Sequence, residues 1–97
     1  MKRVFTVPGD VLSTNAPDLR QQLSALLENP APFTCLELDL REASMVDSVG
    51  LNLIVWAWKF ARERGASTLV RITSPDIERT FRFTRLSTYL EVIREAA

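Results

Sequence analysis

The residues best placed to do chemistry lie in one stretch, Met45-Val46-Asp47-Ser48-Val49-Gly50-Leu51, where a carboxylate and a hydroxyl stand side by side ahead of an apolar run. Asp47 and Ser48 both suit a helix start, because their side-chain oxygens can accept from amides that the first turn leaves unpaired. A small hydroxyl at the positive end of a helix dipole has two uses. As a cap it contributes about 1 kcal/mol to stability and nothing to regulation. As a modifiable serine it is a switch, since a phosphate adds nearly two negative charges that a docking apolar surface must desolvate, and Asp47 next door adds like-charge repulsion. The local pattern taken alone favours the cap.

Other chemistry is poorly supplied. The chain has no histidine, which removes Ser-His-Asp and Cys-His catalysis, histidine phosphotransfer and histidine-based metal sites. Gly9, Gly50 and Gly65 are too isolated to build a phosphate-cradling loop. Asp39 and Asp47 at strand ends suggest the phosphoacceptor of a receiver-like domain, but five strand-helix units do not fit in 97 residues. The sequence therefore points to a binding module rather than an enzyme, with no metal and no cofactor of its own.

Twelve basic and twelve acidic residues cancel, so no overall field draws the chain to nucleic acid or an anionic membrane. Protein partners are expected. Cys35 is the single cysteine and lies in the apolar run Phe33-Thr34-Cys35-Leu36, where it reads as core packing. No signal peptide precedes Lys2-Arg3 and no apolar stretch reaches about 18 residues, so a cytoplasmic domain without membrane insertion is expected.

The elements that must position Asp47 and Ser48 follow from composition and period. Val4-Phe5-Thr6-Val7 has strand character and stops at Pro8-Gly9, with a second short extended piece over Asp10 to Ser13. Asn15 and Asp18 form a near capping box with Pro17 in the first turn, and Leu19, Leu23, Leu26 and Leu27 give a helical stripe that ends before Pro30. Cys35 to Leu40 reads as a central strand, with Leu36, Leu38 and Leu40 on the covered face and Glu37 and Asp39 on the other. A long helix from about Ser48 to Arg64 is stopped by Gly65. Thr68 to Ile72 is a further strand, and Ser74 caps a short helix with Pro75, Asp76 and Glu78 in its first turn. Beyond Phe83 the pattern fits either a last helical turn or a terminal strand. One α/β domain over residues 1–97 is expected, with a largely parallel or mixed sheet.

At 100° per residue the long helix turns Leu51, Leu53, Ile54, Ala57, Trp58, Phe60 and Ala61 to the core. Val55 and Trp56 break the division, because they share the exposed side with Ser48, Asn52 and Lys59. They could cover a neighbouring element, or mark a contact site of the kind that exposed tryptophan and apolar patches favour.

At these residues the sequence resembles the STAS family, small α/β domains typified by anti-sigma factor antagonists of bacterial sporulation and stress signalling. Asp47-Ser48-Val49-Gly50-Leu51 is similar to the family's Asp-Ser-Ser-Gly-Leu signature, Gly9-Asp10-Val11 and Asn15-Ala16-Pro17-Asp18-Leu19 to its Gly-Glu-Leu and Thr-Ala-Pro-Glu-Leu segments, and Leu36 to Leu40 to its central strand. The resemblance implies a sheet of four to five strands with helices mainly on one face. It also implies that Ser48 is a phosphoacceptor, that a serine kinase doubling as anti-sigma factor supplies ATP, and that a serine phosphatase resets the switch; together with the helix surface read above, this makes Asp47, Ser48, Val49, Asn52, Val55 and Trp56 the expected partner surface. The alternative it offers is a constitutive subunit of a lipid-transporting ABC system or other scaffold.

Three positions depart from the family pattern: Val49 replaces the second serine, Leu12 replaces an acidic residue, and Arg85 replaces a glycine. Arg85 would cost up to about 1 kcal/mol if its backbone is left-handed. The family's leading edge strand has no counterpart before Val4, yet Lys2, Arg3 and Pro8 discourage edge pairing, so a monomer or weak dimer is expected.

Overall fold

The structure, a computed structural model, describes residues 1–96. Strands and helices alternate: β1 (Lys2–Thr6), α1 (Ala16–Glu28), β2 (Cys35–Leu40), α2 (Ser48–Glu63), β3 (Ser67–Ile72), α3 (Pro75–Phe83), a 3₁₀ turn (Leu86–Thr88) and β4 (Glu91–Arg94). The strands lie in the order β1-β2-β3-β4 and every neighbouring pair is parallel. Right-handed crossovers between strands that follow chain order all return over the same face, which places α1, α2 and α3 on one side and leaves the other side open.

The α/β class and one-sided helices are as expected, and the sheet, expected to be largely parallel or mixed, is parallel throughout. Asp10 to Ser13 is not a strand. Val11 alone pairs there, in an isolated parallel bridge to Val46. The reason is Asn15, whose Oδ1 accepts from the Leu12 amide at 2.8 Å while its Nδ2 donates to the Asp10 carbonyl at 2.7 Å, closing the segment into a turn. Asn15 therefore spends its side chain on this turn and makes no capping bond to α1, contrary to the expected capping box. The ambiguous end of the chain supplies both of its alternatives, a 3₁₀ turn and then a strand.

Leu36, Leu38 and Leu40 of β2 and Val70 and Ile72 of β3 meet Leu19, Leu23 and Leu27 of α1, Leu53, Ile54, Ala57 and Ala61 of α2, and Ile77 and Phe81 of α3 in one core. Burying a leucine of this kind is worth about 1.5–3 kcal/mol. The helix ends are closed individually. The Arg3 guanidinium donates to the carbonyls of Leu26, Asn29 and Ala31 at the end of α1, and stacks 4.5 Å from the Phe33 ring centroid. Gly65, at φ 74°, ends α2 in a Schellman motif in which the Ala66 amide reaches the Ala61 carbonyl and the Gly65 amide that of Arg62. Arg85 does sit in the left-handed region, at φ 61°.

The open face of the sheet departs from expectation. Glu37 and Asp39, assigned to the uncovered side of β2, are only 5% and 8% exposed. Parallel neighbours bring cations over them: Lys2 Nζ lies 3.0 Å and Arg71 Nε 3.1 Å from Glu37, and Arg41 pairs with Asp39 at 2.8 Å. Glu95 closes the network, bridging Arg41 at 3.2 Å and Arg71 at 2.6 Å. Burial alone would raise the Glu37 carboxyl, but Lys2 and Arg71 outweigh it and hold it below its ordinary value.

Candidate functional site at the start of α2

Three loops meet at the carboxyl ends of the strands, the side on which parallel α/β sheets place their sites. The loop after β1 is joined to the loop after β2 by backbone and by carboxylate. The Val11 amide donates to the Met45 carbonyl at 3.1 Å, and the Asp47 amide to the Val11 carbonyl at 3.1 Å. Asp10 Oδ1 accepts from the Ser44 amide at 2.7 Å, the Met45 amide at 3.1 Å and the Ser44 hydroxyl at 3.1 Å. The loop after β3 adds the Thr73 hydroxyl, which donates to the Arg41 carbonyl at 2.8 Å, and the Ser74 hydroxyl, which donates to the Ser44 carbonyl at 3.3 Å.

Within the motif, each residue has a separate task. Asp47 is the helix cap: Oδ1 accepts from the Gly50 amide at 2.8 Å, and Oδ2 accepts from the Ser13 amide at 2.7 Å across the loops. The Gly50 and Ser13 amides hold its carboxyl below the usual carboxylate range, as the amides of Ser44 and Met45 do for Asp10. Gly50 is needed for space, since a Cβ there would lie 2.2 Å from the Val11 carbonyl oxygen. This contact is what lets the loop after β1 lie against the first turn of α2. Ser48 is the first residue of α2 and is exposed, and its hydroxyl makes no hydrogen bond among the described residues. The cap that the local pattern offered to Ser48 belongs to Asp47.

The proposed partner residues divide between two flanks of α2. Val49, which is 43% exposed, and Asn52 line a groove of about 320 Å³ with Leu53 of α2 and Ala16, Pro17 and Arg20 of α1. Trp56 continues this flank, with the Arg20 guanidinium 4.6 Å over its ring and Phe60 5.8 Å away. Val55 lies about 100° around the helix from Trp56, on the flank of Leu51 and Trp58, and is half-buried against the core. Trp58 is half-buried too, tilted against Tyr89 at 5.3 Å, because the 3₁₀ turn shields that flank incompletely.

Sequence reading missed two residues here. Arg20 reads as one exposed cation on α1, and only the packing of α1 against α2 places it over Trp56. Asp10 carried the signal of a polar residue after Pro8-Gly9, but its role as a clamp depends on a contact 34 residues away in the chain.

The model of the STAS domain matches residues 2–96. The chain belongs to the STAS family. Curated relatives of this STAS domain include the anti-sigma-B factor antagonists of Listeria monocytogenes, 30% identical over 89% of this chain and 74% of that protein, and of Bacillus subtilis, 29% identical over 89% and 76%. Among solved structures, a putative anti-sigma factor antagonist from Thermotoga maritima superposes with a TM-score of 0.87 at 17% identity, over 97% of this chain and 80% of that one. At that identity it shows the fold alone. The family is one of non-enzymatic domains, and no described helix is long and apolar enough to cross a membrane.

Proposed function

We propose that this STAS domain is an anti-sigma factor antagonist whose hold on a serine kinase, itself the anti-sigma factor, is switched by phosphorylation of Ser48. The observation that carries the reading is the division of labour in the motif: Asp47 and Gly50 are committed to backbone contacts, while Ser48 is left exposed and unengaged at the end of the helix. The hydroxyl oxygen attacks the γ-phosphorus of ATP bound to the partner, the hydroxyl proton passes to a base, and ADP leaves. The Gly50 and Ser13 amides hold the Asp47 carboxyl below its ordinary value and so weaken it as a base, and this reading assigns the base to the kinase. A serine phosphatase restores the hydroxyl by hydrolysis: water attacks the phosphorus, the P–O bond to Ser48 breaks and inorganic phosphate leaves.

In the unmodified state the partner covers Ser48, Val49, Asn52 and Trp56 on one flank, with Val55 at the margin of the other. Phosphate at Ser48 then opposes docking by desolvation cost and by repulsion from Asp47. The cytoplasm, where such kinases and sigma factors meet, is the compartment this reading assigns. Incubation with the cognate kinase and MgATP should add one phosphate by mass spectrometry, and Ser48→Ala should abolish the gain. Phosphate on another residue would overturn the site. Recovery from the native source with membrane transport proteins and no kinase would instead favour a constitutive subunit.

A further inference from the structure

The switch uses the start of α2, and the partner surface around it reaches Val49 and Asn52 at the mouth of the groove between α1 and α2, but it gives no task to the α1 side of that groove. Its floor and walls are Ala16, Pro17, Val49 and Leu53, with Asn52 at the rim, and Arg20 is its sole charged lining residue. Arg20 shares with Arg62 and Arg64, which stack on Trp58 and Phe60 outside this groove, a place over an aromatic ring, whereas Arg41, Arg71, Arg79, Arg82 and Arg94 each pair with a carboxylate. Among the described residues Arg20 has none, and it lies instead over the Trp56 ring. A guanidinium stacked on an indole keeps its in-plane N–H groups for an acceptor, and its fork geometry fits a carboxylate. Asp10, Asp18 and Asp47 do not compete for it, and Glu28, which lines the adjoining cleft with Arg20, accepts instead from the Ser24 hydroxyl at 3.0 Å. Asp10 and Asp47 are spent on backbone amides, and Asp18 stands 200° around α1 from Arg20.

We propose that this groove reads the partner: it takes an apolar side chain from an acidic segment of the partner protein, whose carboxylate pairs with Arg20 over Trp56. The apolar walls supply contact area, Asn52 supplies a donor and acceptor at the rim, and the cation sets the sign of what binds. Val49 gains a task here, because a valine at this position extends the apolar wall directly from the switch residue into the groove. The inference rests on the antagonist reading for the partner's class, while its test needs no kinase.

The test uses two amphipathic helical peptides that share a leucine face and differ only in carrying glutamate or lysine elsewhere, each titrated into the full chain and followed by NMR. The glutamate peptide should bind with a Kd about tenfold lower than the lysine peptide, shifting the Trp56 indole N–H, the Asn52 side-chain amide and the Val49 methyls. Arg20→Gln, an exposed change that leaves the core alone, should erase the preference, and Arg20→Lys, which keeps the charge but loses the stacked fork, should keep only part of it. Equal binding of the two peptides, no binding of either, shifts confined to another surface, or a preference unchanged in Arg20→Gln would each overturn the proposal. An intact preference in a chain whose Ser48 no kinase modifies would sink the switch and leave the groove standing. Phosphorylated Ser48 with no peptide preference would do the reverse.

Discussion

Carboxylates hold this domain together in two places, at the start of α2 and on the open face of the sheet. At the first, Asp10 and Asp47 accept from backbone amides of Ser44, Met45, Gly50 and Ser13. At the second, Glu37, Asp39 and Glu95 are met by the side chains of Lys2, Arg41 and Arg71. The amide-held pair joins loops with the Ser44 hydroxyl as its one side-chain donor, so Ser48, Val49 and Asn52 are left outward and free. The cation-held set consumes the side chains around it and fills the face of the sheet. A surface meant to engage a partner and to be modified is more readily built from the first arrangement.

Changes at the two places should separate them, beginning with the largest effect. Gly50→Ala places a methyl against the Val11 carbonyl, where backbone meets backbone, and should cost about 3 kcal/mol in denaturant unfolding despite the better helix propensity of alanine. Ser48→Ala, two residues earlier, should stay within about 0.5 kcal/mol. Glu37→Gln leaves Lys2 without its carboxylate and Arg71 with Glu95 alone. Because Lys2 is half in solvent, the loss should be about 1–2 kcal/mol rather than the larger figure of a fully buried pair.

Salt sharpens the contrast. At 1 M the screening length falls to about 3 Å, so the penalty of Glu37→Gln should shrink, while that of Asp47→Asn, set by amide geometry, should hold. Acid acts on both places with the same sign. Asp10, Glu37, Asp39 and Asp47 all have folded-state pKa values lowered from ordinary values of 3.8 to 4.5. Their contribution is therefore complete above those ordinary values and is lost as pH falls through the lowered ones. A thermal melt series at low ionic strength should be flat near neutrality and fall steeply below about pH 4.5. The smallest effect lies away from both places: Arg85→Gly relieves a left-handed arginine and should stabilise by up to about 1 kcal/mol, read as a higher melting temperature.

Much of this arrangement was legible because local rules and tertiary structure agree. The leucine stripe of α1, the stop at Gly65 and the cap at Ser74 each rest on residues within one or two turns. Arg85 was legible for a different reason, the family resemblance, since a glycine replaced at a fixed place in that pattern signals its backbone conformation. What failed depended on distant partners. Glu37 and Asp39 alternate as a half-exposed strand should, and only cations from β1, from β3 and from the residue after β2 bury them. Val55 and Trp56 both lie off the core arc, and the contact of Arg20 with Trp56 beside the groove was likewise out of reach of local pattern. Asp47 and Ser48 are equally good caps by type, and the Ser13 amide across the loops accompanies the choice of Asp47.

The central claim is that phosphate at Ser48 releases the partner. Isothermal titration of the cognate serine kinase with unmodified chain and with chain stoichiometrically phosphorylated at Ser48 tests it directly. The account predicts at least about a tenfold rise in Kd on phosphorylation, a step of about 1.4 kcal/mol, with Ser48→Ala binding as the unmodified chain does and insensitive to MgATP. Equal affinity of the phosphorylated and unmodified forms would contradict it.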